Sequence, residues 1–122
     1  MIKEIAFTAY PAADVKKLHE FYSKTLGLKL DDPMEFDGVT GYAEGKVGDG
    51  YFALLYTEWI DRPKGSGAGV AFEVDDLDAT MKMLKDKGIE CSEPMVFPVC
   101  KISNFNDPEG NKVTLHQTTV PH

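Results

Sequence analysis

The chain is short of the features that name a chemistry outright. It contains no CxxC pair, no HExxH, no P-loop and no GxSxG elbow. Those absences exclude zinc ribbons, zincins, P-loop NTPases and α/β hydrolases. Basic residues are scarce, 13 against 20 acidic ones, for a formal net charge of -7. An acidic chain with no basic stripe argues against nucleic acid and anionic membrane as partners. The longest strongly apolar run, Tyr51 to Tyr56, is far too short to cross a bilayer. The opening MIKEIAF lacks the apolar stretch and cleavage site of a signal peptide. A cytoplasmic location is therefore expected, and with it no structural disulfide between the two cysteines, Cys91 and Cys100.

What is present is an ordinary globular composition, 43% hydrophobic and 27% charged, over 122 residues. That is the size of one domain able to bury a core without staples. The organising feature is an internal duplication with a period of about half the chain. IAFTAY followed by ADVKKLHEFYSKTLGL in the first half matches GVAFEV followed by DDLDATMKMLKDKGI in the second. Asp14 and Asp76 stand where each helix starts and can accept bonds from its free first-turn amides. Val15, Leu18, Phe21, Tyr22 and Leu26 form one apolar stripe at helical spacing, and Leu77, Met81 and Leu84 another. Gly27 and Gly88 supply the left-handed residue that ends a helix.

Three strands are expected after each helix. In the first half they are 28–31, 41–47 and 51–56, the last two joined by Gly48-Asp49-Gly50. In the second half they are 90–92, 99–105 and 112–117, with Asp107-Pro108-Glu109-Gly110-Asn111 as the final turn. The expected organisation is a first βαβββ module at 1–56, a linker at 57–68 and a second βαβββ module at 69–122. Such a pair makes an α+β fold with a curved, cup-shaped mixed sheet, helices on the convex side and a cleft on the concave side.

Two such halves resemble the vicinal-oxygen-chelate superfamily, the glyoxalase, bleomycin-resistance and dioxygenase group. The resemblance runs through FYSKTLGLKL, VAFEVDDLDAT and above all DPEGNKVTLHQ, which is close to that family's DPxGNxxE ending. It implies a homodimer and a divalent metal (Zn, Ni, Mn or Fe) held by one residue from the first and last strand of each half. The metal would polarise substrate oxygens. The positions that align with those ligands are Phe7, Ala53, Gly69 and Thr114. Phe, Ala and Gly have no side-chain donor and a neutral Thr hydroxyl is a poor one, so no cofactor is expected at the usual place.

The resemblance also implies which residues line the cup. By analogy with fosfomycin-resistance relatives, Cys100, Ile102 and Asn104 point inward. If Thr114 does so, His116 follows two residues on. Pairing Cys100 with His116, or Asn104 with Thr114, keeps all five on one face, whereas a register slipped by one would separate them. Glu44 joins them if its parity is inward. Phe7, Ala9, Ala53, Leu55 and Gly69 would form an apolar wall, and Trp59 and Arg62 in the linker a rim. Each has a plainer reading: His116 as a satisfied interior histidine, Cys100 as a small buried hydrophobe, Glu44 as a solvated strand position. His19, on a polar helix face, and the terminal His122 are set aside as ligands.

Three functions stay open on the sequence. One is a glyoxalase-like lyase or isomerase, or a dioxygenase-related enzyme, acting on a small oxygenated compound. Another is a non-catalytic protein that sequesters a drug or metabolite, as bleomycin-binding relatives do. The third is a metal-free enzyme with Cys100 and His116 as catalytic residues, His116 activating the thiol. A displaced soft-metal site of His116, Cys100 and Glu44 is the remaining alternative.

Overall fold

The computed structural model describes residues 1–120; His122 lies outside the described residues. The elements in chain order are β1 (Thr8–Ala12), α1 (Val15–Glu20), a π-helical turn (Phe21–Thr25), β2 (Met34–Phe36), β3 (Val39–Val47), β4 (Gly50–Tyr56), α2 (Thr57–Ile60), β5 (Val70–Glu73), α3 (Leu77–Asp86), β6 (Met95–Val96), β7 (Cys100–Asn106) and β8 (Lys112–Thr118). They form two four-stranded sheets, ordered β1-β4-β3-β2 and β5-β8-β7-β6. In each, the outer β1 or β5 runs parallel to its neighbour and the remaining pairs are antiparallel. The chain is thus α+β, with the same β-α-β-β-β order in each half.

The chain divides into two compact units. The first is Met1–Ala68 together with Asp107–Asn111; the second is Gly69–Asn106 together with the residues from Lys112 onward. Segment 57–68, expected as a linker, is counted with the first unit, and so is the β7–β8 turn.

Both helices begin as their sequences dictate. The Asp14 carboxylate accepts the Lys17 amide at 3.1 Å and the Asp76 carboxylate accepts the Ala79 amide at 3.0 Å. The left-handed residues after them are Gly27 (φ 79°) and Gly88 (φ 83°). The first helix differs from a plain α-helix in its second half. Leu26 N–H donates to Phe21 C=O at 3.1 Å, a wide i→i+5 turn.

In unit 1, α1 packs on the face made by Tyr10 and Ala12 of β1, Ala43 of β3, and Phe52 and Leu54 of β4. All are buried, as are Val15, Leu18 and Tyr22 from the helical segment. In unit 2, Leu77 and Leu84 of α3 are buried, as are Phe105, Val113 and Leu115 of β7 and β8.

The second strand of each half departs from the expectation. Residues 28–31 and 90–92 form no ladder, and the short edge strands are Met34–Phe36 and Met95–Val96 instead. In the first half the reason is close backbone approach. A Cβ on Gly45 would lie 2.2 Å from the Lys29 carbonyl oxygen and 2.8 Å from Leu30 Cα, so the LGLKL segment presses on β3 rather than pairing along it. Each displaced segment keeps one main-chain bond to the next strand. Asp31 N–H donates to Glu44 C=O, and Ser92 N–H to Asn104 C=O, both at 2.8 Å. The observed β2 is set by the Asp37-Gly38 turn, where both residues have positive φ (54° and 78°), as a tight two-residue hairpin requires.

Candidate functional site

The most distinctive motif, DPEGN, is internal to unit 1 and fully engaged there. Asp107, Glu109 and Asn111 are 4%, 7% and 0% exposed. One oxygen of Asp107 accepts the Glu109 and Asn111 amides, each at 2.9 Å. The other accepts the Tyr22 hydroxyl at 2.8 Å and the Asn111 side-chain amide at 2.9 Å. Glu109 receives the Ala13 and Asp14 amides at 2.7 and 2.8 Å, just ahead of α1. Asn111 accepts the Gly67 amide at 2.8 Å and donates to the Pro11 carbonyl at 3.2 Å. Burial and then the Asp107 carboxylate push the Tyr22 hydroxyl far above its ordinary pKa, so it stays a donor. Every side-chain oxygen of the motif is engaged by a protein donor and nearly closed to solvent, so none is presented to a ligand. The motif is a polar lock for the fold.

The opposite face of sheet 1 is a different surface. Register places Ala9, Ala53 and Glu44 in one row, and Pro11, Leu55 and Tyr42 in the next. Phe7, two residues before Ala9, belongs to the same face by alternation. The rings of Phe7 and Tyr42 meet edge-on at 6.3 Å. The small side chains of Ala9 and Ala53 let them lean together, and Ala53 has no exposed surface. The Tyr42 hydroxyl donates to Glu44 at 2.5 Å. Partial burial, and then that carboxylate, push the phenol up to about 12.

Trp59 is not brought to this face. A Cβ on Gly41 would strike its ring at 2.4 Å, and Gly41 shares the helix-covered side with Ala43 and Gly45. Trp59 also meets Phe36 and Tyr56 edge-on. Arg62 is engaged with Ser66, through its main-chain oxygen at 2.5 Å. His19 contacts the Asp31 carbonyl at 3.0 Å and, with Lys16, Ser23 and Glu35, lines an open groove that contains none of the expected site residues.

Unit 2 carries the richer constellation. Cys100 lies opposite Thr118, Ile102 opposite His116, and Asn104 opposite Thr114. This is the even register, so all six side chains share one face. Gly69 precedes β5 by one residue, and alternation sets it on the same side as Ala71 and Glu73, which neighbour Thr114 and His116. The other parity of β7 and β8 (Ser103, Phe105, Val113, Leu115) is buried under α3, whereas Cys100, Ile102, Asn104, Thr114 and His116 are half-buried.

Two hydrogen bonds fix the polar groups of this face. The Thr114 hydroxyl donates to Asn104 Oδ1 at 2.6 Å, which leaves the Asn104 amide nitrogen as the outward group. His116 Nδ1 lies 2.6 Å from Glu73 Oε1, and the Thr118 amide donates to Glu73 Oε2 at 2.8 Å. The Thr118 amide first, and His116 second, hold the Glu73 carboxyl below its usual range. An ionised carboxylate only accepts, so the proton shared with it sits on Nδ1. In the neutral ring the lone pair is then on Nε2. Glu73 was absent from the sequence expectation. The parity that put Gly69 inward reaches it two alternations later and was the signal available.

Cys100 and His116 share the face but are offset by one cross-strand pair, and the imidazole turns to Glu73. Both cysteines are free. Burial pushes the Cys91 thiol up, partly offset by a hydrogen bond with Ser103. Among the described residues, no three His, Cys, Asp or Glu side chains gather as a metal-holding group. The donor chemistry at the four family ligand positions does not fit a metal either: Phe7, Ala53 and Gly69 offer nothing, and the Thr114 hydroxyl donates to Asn104.

The two β-α-β-β-β halves, the DPEGN lock and a half-buried polar sheet face define a small α+β fold of glyoxalase type. The chain belongs to the Glyoxalase/Bleomycin resistance protein/Dioxygenase superfamily, whose model matches residues 4–115. It is 26% identical over 125 residues to the uncharacterized protein YaeR of Escherichia coli (strain K12), covering 95% of this chain and 97% of that one. Among solved structures it is similar to TnmS3, an antibiotic binding protein from Streptomyces sp. CB03234, with a TM-score of 0.81 and 25% identity over 97% of this chain and 98% of that one. It is also similar to a glyoxalase/bleomycin resistance protein from the same organism, with a TM-score of 0.75 and 28% identity over 93% of this chain and all of that one. No helix among the described residues is long and apolar enough to cross a membrane.

Proposed function

We propose that this chain binds a small organic molecule on its open sheet faces and does so without a bound divalent metal. The observation that carries this reading is the donor set. Three of the four positions aligned with the family's ligands have no donor atom, and the Thr114 hydroxyl is committed to Asn104. A glyoxalase-like lyase or dioxygenase needs the Lewis acid those positions would hold, so sequestration is the reading taken. The antibiotic-binding character of TnmS3 supports it. The aromatic pair Phe7 and Tyr42 offers stacking surface, and the Glu44 carboxylate beside it suits a ligand with positive charge. Cys100, Ile102, Asn104, Thr114, His116 and Gly69 supply contacts on unit 2. A homodimer in the cytoplasm is the proposed working form.

A second reading has one observation in its favour. The Glu73–His116 contact is the arrangement that orients an imidazole for proton transfer, so a metal-free enzyme with His116 as base is the alternative to pure binding.

The test is calorimetry of chelator-treated protein with a panel of planar aromatic compounds, neutral and cationic, beside elemental analysis of the untreated protein. Binding by the chelated protein with no stoichiometric metal before treatment supports the proposal. Binding that appears only when Zn, Ni, Mn or Fe is restored overturns it.

A further inference from the structure

The two fixed polar groups of unit 2 have opposite hydrogen-bonding character. Glu73 holds a proton on His116 Nδ1, so the neutral ring presents Nε2 as an acceptor. Thr114 occupies Asn104 Oδ1, so the Asn104 side chain presents its amide N–H groups as donors. Among the described residues, neither Nε2 nor the Asn104 amide nitrogen has a further hydrogen-bond partner. They stand on adjacent cross-strand pairs, Asn104 opposite Thr114 and His116 opposite Ile102. Neighbouring same-face pairs are about 7 Å apart along a strand. Ile102 lies between Asn104 and Cys100 on that face and gives the ring of a bound molecule an apolar floor. The His116 side chain is 30% exposed, so the pair is reachable while partly shielded from water.

We propose that His116 and Asn104 together read one edge of a neutral planar ligand that carries an N–H donor beside a carbonyl acceptor, the lactam and imide class. The N–H meets His116 Nε2 and the C=O meets the Asn104 amide. This rests on the binding function proposed above and adds to it the ligand's recognition edge. Glu73 and Thr114 act as positioning residues: each removes the ambiguity of a side chain that otherwise presents either character, a histidine tautomer or an amide flip. A site built around buried or half-buried hydrogen-bonding groups rejects an analogue that cannot pair with them, because those groups are left unmatched.

The experiment uses isoquinolin-1-one, its N-methyl derivative and naphthalene as probes, with affinities from calorimetry and contacts from ¹⁵N chemical shifts of the Asn104 amide and the His116 ring. The lactam should bind at least about tenfold more tightly than the N-methyl form, about 1.4 kcal/mol, and should shift both resonances. Glu73→Gln, which can donate to Nδ1 and so release the tautomer, should remove most of that preference. Asn104→Asp should weaken the lactam and the N-methyl form alike, since both keep the carbonyl, and leave naphthalene unchanged. Equal binding of lactam and N-methyl forms, or a preference that survives Glu73→Gln, overturns the edge assignment and leaves metal-free binding standing. Binding of naphthalene without the lactam does the same. No binding of any probe, together with none across the wider aromatic panel, overturns the binding function itself.

Discussion

The turn Asp107–Asn111 and the strand that follows it, Lys112–Thr118, are adjacent in sequence and opposite in character. In the turn every side-chain oxygen of Asp107, Glu109 and Asn111 meets a protein donor, and all three residues are nearly free of solvent. In the strand, Thr114 and His116 engage one partner each and sit half-exposed, leaving His116 Nε2 outward as an acceptor and, across the ladder, the Asn104 amide as a donor. The motif that identifies the family most sharply is therefore the part least able to touch a ligand. A saturated buried polar network is all-or-none, since removing one member strands the others. An unsaturated surface group can change with little cost to the fold.

Substitutions separate the two regions. The largest effect is expected at Asp107→Ala, which leaves four buried donors without their acceptor. It should lower unfolding free energy by about 3 kcal/mol or more, read from urea denaturation. Tyr22→Phe removes one donor of that set and should cost about 1–2 kcal/mol. His116→Gln should stay within about 0.5 kcal/mol of the parent in the same assay, while ligand affinity falls. If His116→Gln unfolds the protein as Asp107→Ala does, the contrast between turn and strand is wrong.

Two smaller effects concern protons. The Glu73 carboxyl is held below its ordinary range, so its contribution to stability is present at neutral pH. That contribution is lost as pH falls through the lowered folded value. Glu73→Gln should flatten that part of the acid limb and lower the neutral plateau by the small contribution that the carboxylate makes there. Tyr42 is shifted the other way, to about 12. Its contribution is intact below the ordinary tyrosine value and lost as pH rises through the folded one. Ultraviolet titration should show Tyr42 among the late-ionising phenols, beside the more strongly shifted Tyr22, and Glu44→Gln should bring Tyr42 part-way back, since burial as well as the carboxylate raises it.

Much of the fold could be read before the structure. The duplication, the capping residues Asp14 and Asp76 and the closing glycines are local signals, and each operates where expected. The second strand of the first half lies later than its sequence suggests because LGLKL looks like a strand. What moves it is a tertiary contact, the close approach at Gly45, which a one-dimensional pattern does not carry. The Asp37-Gly38 pair was a readable hairpin signal that places β2 correctly. At the site, alternation put Cys100, Ile102, Asn104, Thr114 and His116 on one face, as the register has them. It could not supply the hydrogen bonds that set tautomer and amide orientation. Glu73 escaped because it comes from β5, which is distant in sequence and joined to β8 by parallel pairing. The side of the sheet that Trp59 takes was illegible for a related reason: it depends on the Gly41 gap, not on its own neighbours.

The central claim is that ligand recognition here uses fixed side-chain hydrogen bonds in place of a metal. The most direct measurement is an amide chemical-shift titration of chelator-treated protein with isoquinolin-1-one. Saturable binding is expected, with the largest shifts in β7 and β8, around Asn104, Thr114 and His116. Shifts that appear only after a divalent metal is added back would contradict it.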